Sequence, residues 1–334
     1  MSQTPKESEA ATSCPASRGG MQHGAEVTVG SFYEAGRERL GLTLVAGSAG
    51  LPRVVQEPSL YRCGLALTGF HENFAYQRVQ VIGSSEHAYL DSLPMEKRVD
   101  SVERLFRAGI PCLVFSNGRK SFAEADRMGD YLGVPVLRTP LSSIRFMAEA
   151  TMMLELLSAP RCRVHGTMLE VAGLGVMIEG PAGVGKSETA LGLIKRGHAL
   201  VADDLTALRR DPAGTLHGSA VEVTRHYMEI RGIGIIYVPR LFGVAAARGE
   251  KTLDLVITLR PQSVNDADLD RTGAQNLTRE FLGVSVPQLV IPVAPGRDLV
   301  NIVETAAMEH KLRATGVIAY SDLAERIKRH HTRS

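Results

Sequence analysis

The four cysteines of this chain, Cys14, Cys63, Cys112 and Cys162, form no C-x-x-C pair, so their spacing suggests neither a zinc site nor a redox pair. Reduced thiols are the expectation. Charge of one sign is not in excess either. Thirty-eight Lys and Arg stand against 36 Asp and Glu, a formal net charge of +2 that gives no electrostatic reason to expect nucleic acid or a membrane as the main partner. No run approaches the roughly 18 consecutive apolar residues of a membrane span, and no basic segment followed by an apolar core opens the chain. A cytoplasmic protein is expected. Internal repeats are lacking, and low complexity is confined to the start. Residues 1–26, rich in Ser, Gly and Ala with almost no large apolar side chains, read as a flexible tail.

What is present is an ordinary globular composition, 44% hydrophobic and 22% charged over 334 residues, enough for two cores. Between 27 and 156, the β-prone runs LTLV (42–45), VQVI (79–82), CLVF (112–115) and VPVL (134–137) alternate with helical periodicity. That alternation predicts an α/β domain built on a parallel sheet with crossover helices. One helix is expected over 95–108, with Val99, Val102, Leu105 and Phe106 on one stripe. Another is expected over 121–132, with Phe122, Ala125 and Met128 in register; Gly109 and Gly133 then act as C-terminal stops. A longer helix is predicted over 142–157, opened by Ser142 or Ser143 and closed before Pro160. Its core face is read as Ile144, Met147, Ala148, Thr151, Met152 and Leu156.

The second domain, 157–334, carries the chemistry. Residues 180–187, Gly180, Pro181, Ala182, Gly183, Val184, Gly185, Lys186 and Ser187, form a complete G-x-x-x-x-G-K-[ST] phosphate loop. The apolar run Val176, Met177, Ile178 precedes it and a helix-prone stretch follows, so a strand delivers the chain to a glycine turn and a helix N-terminus. A triphosphate fits that geometry, with Lys186 reaching the β- and γ-phosphates and the Ser187 hydroxyl on Mg²⁺. After a turn at Gly197, HALVADD places Asp203 and Asp204 at the end of a short strand. Two adjacent carboxylates can divide the work, one holding Mg²⁺ and the other taking a proton from the attacking hydroxyl, although a helix cap would account for one of them. His165 lies one strand or hairpin upstream of the loop, as a structural histidine or as a proton partner near phosphate. Glu229 and Arg231, two apart in YMEIRGIGIIYV, fall on one face of a strand, either as a salt bridge or as a metal carboxylate beside a phosphate-contacting arginine.

HG followed by GLGVMIEGPAGVGKSETALGLIKRGHALVADD, then MEIRGIGII, then PVAPGRDLVNIVETAAM, closely resembles bacterial HPr kinase/phosphorylase. The likeness runs over about 160–316 and is weaker in the first half, mainly around QVIGSSEHAYL. It implies a phosphate-loop kinase domain that uses ATP and Mg²⁺ to phosphorylate a serine of the phosphocarrier protein HPr. It also implies the reverse phosphorolysis to pyrophosphate, and a homohexamer. It places metal ligands on Ser187 and Glu229 and the active-site set on His165, Lys186, Asp204 and Arg271, with Asp204 as proton acceptor in one direction and donor in the other. The loop from Pro292 to Arg297 is associated with the phosphorylase direction, and the glycine- and apolar-rich LFGVAAARG reads as a contact segment or a buried strand edge. The chain departs from the family pattern at Ala182, Tyr237 and Ala294. On the residues alone two other readings stand: a small-molecule or carboxykinase-like kinase, and a nucleotide-gated regulatory protein.

Overall fold

The computed structural model describes residues 26–261 and 277–316. The expected tail up to residue 25, and Arg271, lie outside the described residues. The chain divides into two compact units, one ending at Ala159 and the other beginning at Pro160.

In the first unit the chain runs α1 (Val29–Arg39), β1 (Thr43–Ala46), β2 (Leu60–Arg62), α2 (Gly64–Leu67), β3 (Val79–Ile82), α3 (Ser84–Ser92), α4 (Met95–Arg107), β4 (Leu113–Phe115), α5 (Ala123–Leu132), β5 (Val136–Arg138) and α6 (Ser143–Ser158). The sheet order is β1-β5-β4-β3-β2, parallel from β2 to β5. LTLV departs from the parallel reading: β1 pairs with β5 antiparallel, as an edge strand that needs no crossover helix. Helix α4 buries Val102, Leu105 and Phe106 of its predicted stripe and leaves Val99 half-buried. Gly133 ends α5 in the left-handed conformation, φ +61°, as a C-terminal stop should.

Helix α6 is capped by Ser142, whose side chain accepts from the Arg145 N–H. Its core face, however, is not the predicted one. Phe146, Ala150, Met153 and Leu154 are buried, whereas Ile144 is 85% and Met152 53% exposed. Apolar residues occur nearly all round this helix, so two stripes compete at the same period. The stripe bearing the phenylalanine, which has the most area to bury, joins the core formed with Phe32, Leu40 and Val114.

The second unit runs β6 (Arg161–His165), β7 (Thr167–Val171), β8 (Leu174–Glu179), α7 (Lys186–Lys195), β9 (Ala199–Ala202), β10 (Leu205–Arg210), β11 (Leu216–Ala220), β12 (Tyr227–Ile230), β13 (Gly234–Tyr237), α8 (Val238–Phe242), β14 (Glu250–Thr252), β15 (Leu255–Pro261), β16 (Leu277–Phe281), β17 (Val284–Val293) and α9 (Leu299–Ala314). One sheet has the order β16-β17-β15-β8-β7-β9, a second the order β14-β11-β10-β6, and β12 and β13 form a hairpin. In LFGVAAARG, Leu241 and Val244 are exposed and Ala246 is buried; a short 3-10 turn, not a strand, occupies its middle. Cys63 and Cys112 are free, and burial pushes each thiol up to about 12. No helix among the described residues is long and apolar enough to cross a membrane.

Strand β8 passes so close to Thr252 that a β-carbon on Gly175 would sit 1.7 Å from the Thr252 carbonyl oxygen. Gly175→Ala must therefore push two backbones apart, and a loss of about 1–3 kcal/mol is expected in denaturant unfolding. An unchanged midpoint would refute the close approach.

Candidate functional site

The sheet order explains why the phosphate loop and the acidic pair meet. Strands β8 and β9 each pair antiparallel with β7, which lies between them, so they run parallel to one another. Their C-terminal ends share one edge of the sheet. The loop leaves β8 after Glu179, and Asp203 and Asp204 follow β9 after Ala202, while β7 begins at that same edge with Thr167. Helix α7, whose buried Thr189, Ala190, Leu193 and Ile194 seat it on the core, makes the crossover.

Within the loop Gly180, Gly183 and Gly185 all have positive φ, +150°, +78° and +105°, a conformation open to glycine. Gly185 caps α7 with no side-chain acceptor, so the first-turn N–H groups face the loop concavity as donors for an anion. The Lys186 ammonium donates to the Gly180 and Pro181 carbonyls at 3.0 and 3.3 Å, folded over the loop it belongs to.

Asp203 is the organising group. Its Oδ1 accepts from the Thr167 hydroxyl at 2.9 Å and from the Ser187 hydroxyl at 3.3 Å, and its Oδ2 accepts from the Glu229 backbone N–H at 3.1 Å. Burial pushes its pKa up, opposed by these same hydrogen bonds, which favour the carboxylate. One carboxylate thus ties the loop, β7 and the β12–β13 hairpin together. Asp204 is different: exposed, and held at φ +60°, which is uncommon outside glycine. Its carbonyl accepts from the Gly166 N–H at 2.9 Å, and its own N–H donates to the Thr167 hydroxyl at 3.4 Å. Neither aspartate caps a helix; the chain enters β10 directly. The two side chains therefore occupy different settings, one half-buried in a network and one open to solvent.

His165 is exposed at the end of β6, where its ladder partner is Leu205, the residue after Asp204. Glu229 is exposed on β12 beside Asp203. The same-face reading of Glu229 and Arg231 does not hold, because β12 ends at Ile230 and Arg231 lies in the turn. The arginine nonetheless reaches the loop: a β-carbon on Gly183 would be 3.6 Å from its guanidinium. No ion pair joins Glu229 and Arg231 among the described residues, and neither pairing nor strand parity brings them here; the hairpin's attachment to Asp203 does.

Two contributors escaped the sequence reading. Thr167, fully buried, touches both aspartates, and a lone threonine after HG carries no signal until the strand order is known. Glu179, the last residue of β8, is pushed up by burial and pulled down by Arg279, whose Nε lies 3.7 Å away. Among the described residues no group of three or more His, Cys, Asp or Glu is poised around a metal. The Ser187 hydroxyl and the Asp203 carboxylate meet at this edge, and Glu229 follows on the strand tied to Asp203, oxygen groups of the kind a hard divalent cation takes.

The family model described as HPr Serine kinase C-terminal domain matches residues 157–327, and that described as HPr Serine kinase N terminus matches 27–154. The HPr kinase/phosphorylase of Leptospira biflexa is 41% identical over 278 residues, 83% of this chain and 86% of its own. That of Caldicellulosiruptor bescii is 44% identical over 281 residues, 84% and 90% of the two chains. This chain belongs to the HPr kinase/phosphorylase family. A solved structure described as the Hpr(Ser) kinase/phosphatase from Coxiella burnetii is 36% identical and covers 49% of this chain and 97% of that chain, with a TM-score of 0.43. Of the residues to which the HPr kinase/phosphorylase resemblance assigns roles, Lys186, Ser187 and Asp204 lie at this sheet edge, Glu229 is on the hairpin tied to Asp203, His165 is on β6 opposite the residue after Asp204, and Arg271 lies outside the described residues. The Pro292–Arg297 segment starts in the last two residues of β17 and is closed by the Arg297 guanidinium on the Pro292 carbonyl at 2.8 Å.

Proposed function

We propose that this chain is a phosphate-loop kinase that transfers the γ-phosphoryl group of ATP to a serine hydroxyl of HPr in the cytoplasm, and that it reverses the transfer with inorganic phosphate, releasing serine and pyrophosphate. The observation that carries this reading is the meeting of Gly180–Ser187 with Asp203 and Asp204 at one sheet edge. Phosphoryl transfer needs little covalent chemistry from a protein; it needs positioning and neutralised charge. Lys186 supplies a positive charge at the phosphates, and Arg231 and Arg271 are the guanidinium groups of the proposed site. Asp204, the exposed carboxylate of the pair, accepts the proton of the incoming serine hydroxyl and returns it in the reverse direction. His165, one ladder position away, supports that proton transfer. Ser187 and Glu229, with Asp203 behind them, would hold Mg²⁺, which supplies charge neutralisation at the β- and γ-phosphates. A homohexamer is part of the proposal, and the exposed Leu241 and Val244 offer apolar contact area for it.

Incubation with γ-labelled ATP and purified HPr tests the activity. Label on an HPr serine is expected, and pyrophosphate should appear when phosphorylated HPr meets inorganic phosphate. Nucleotide binding with no transfer would overturn the reading in favour of a nucleotide-gated regulator, and transfer to a small molecule would favour the other kinase class.

Thr167→Val keeps shape but removes the donor to Asp203 and the acceptor for the Asp204 N–H. Turnover should fall roughly 10-fold, with ATP affinity little changed, because the loop is untouched. Thr167→Ser should restore the rate. Equal turnover in the valine variant would deny Thr167 any part in holding the pair.

A further inference from the structure

The first unit carries an open surface depression of about 660 Å³ between the loop His71–Tyr76 and the C-terminal end of α4. Its wall is aromatic and built. Phe74 packs edge-on against His71, centroids 5.6 Å apart, and against Tyr61 at 6.0 Å, while Tyr76 remains 42% exposed. The fully buried Gln80 holds the loop from beneath, its Nε2 donating to the Ala75 and Arg78 carbonyls, both at 2.8 Å. An ion pair from Arg78 to Glu57 fixes the loop's far end.

The charge in this depression is positive. Arg104 and Arg107 line it, and no Asp or Glu does. Arg107 is paired with Glu103 along α4, but Arg104 has no acidic partner among the described residues and meets the Ser101 hydroxyl at 3.4 Å. In the same wall the His71 Nε2 is buried with no hydrogen-bond partner. A guanidinium with no acidic partner beside exposed aromatic surface selects one kind of ligand.

We propose that the first unit binds a small molecule in which a flat ring carries an anionic group, phosphate or carboxylate. The ring lies on Phe74 and Tyr76 and the anion faces Arg104. This site is independent of the phosphoryl-transfer reading, since the argument uses no residue of the second unit.

The test is calorimetric titration of the full chain with phenyl phosphate, in a Lys186→Ala background so that the phosphate loop contributes little binding. Phenyl phosphate should bind at least about 10-fold tighter than inorganic phosphate, which lacks the ring. Arg104→Gln, at an exposed helix position that leaves the fold intact, should weaken it roughly 10-fold, the worth of one charge-assisted hydrogen bond. Tyr76→Ala should weaken it several-fold. Benzoate in parallel distinguishes the carboxylate from the phosphate form of the ligand, and binding of either one supports the site. If neither binds more tightly than inorganic phosphate, or if Arg104→Gln and Tyr76→Ala both leave the titration unchanged, the proposal fails.

Discussion

Lys186→Ala is expected to lower phosphoryl transfer to HPr and its phosphorolysis together, by on the order of 10³, while the protein unfolds at the wild-type temperature. The size follows from what a point charge does at a triphosphate in a partly dry cleft: it stabilises charge that moves during transfer, and no neighbouring group replaces it at the same place. Constant stability follows from its contacts. The Lys186 ammonium meets the carbonyls of Gly180 and Pro181, at the surface of the unit, and belongs to no buried cluster. Alanine is also the best helix former and stands here at the first position of α7, so the backbone has no reason to change. Kinetics of transfer from ATP to HPr, pyrophosphate release from phosphorylated HPr with inorganic phosphate, and a melting curve check the three parts. Normal turnover in this variant would contradict the role given to the loop.

How far this was legible in sequence depended on whether a residue's neighbours are local in the chain. The phosphate loop could be read directly, because strand, glycine turn and helix are consecutive and each has its own signal. Helix α4 was legible for the same reason, with a single apolar stripe and a glycine stop. Helix α6 was found, with its serine cap, but its buried side was misread, since periodicity gives a phase only when one face is clearly more apolar than the others. The role of Thr167 could not be read at all. Its importance comes from β7 running between β8 and β9, which places the first residue of one strand beside the last residues of two others, and nothing in a five-residue β run announces that insertion. The placement of Arg231 is similar: parity assigned it a strand face, while the structure ends the strand one residue earlier and lets the turn deliver it to Gly183.

The distinction between Asp203 and Asp204 is the sharpest consequence of the geometry, and asparagine substitutions separate them. Asp204→Asn should reduce both directions of the reaction by about 10²–10⁴ with ATP binding retained, the range for loss of a general acid-base group. Asparagine is suited to the test because it tolerates a positive φ, so the backbone at +60° survives the change where another residue would add strain. Both directions fall together because one group takes the proton and gives it back. Asp203→Asn should behave otherwise. The Asp203 carboxylate accepts three hydrogen bonds, two on Oδ1 and one on Oδ2, and an amide must turn its NH₂ either toward the Glu229 N–H or toward the two hydroxyls. Turned toward the hydroxyls, the amide makes Thr167 and Ser187 accept where they donated to a carboxylate; set against the N–H, it leaves two donors facing each other and loosens the hairpin that carries Glu229; either way the cost is about 1–3 kcal/mol. That variant should melt earlier and need more Mg²⁺. If the clean loss of turnover at constant melting temperature appears in Asp203→Asn and Asp204→Asn is unaffected, the roles within the pair are reversed. If neither variant loses activity, the acidic turn is a structural tie and the mechanism fails.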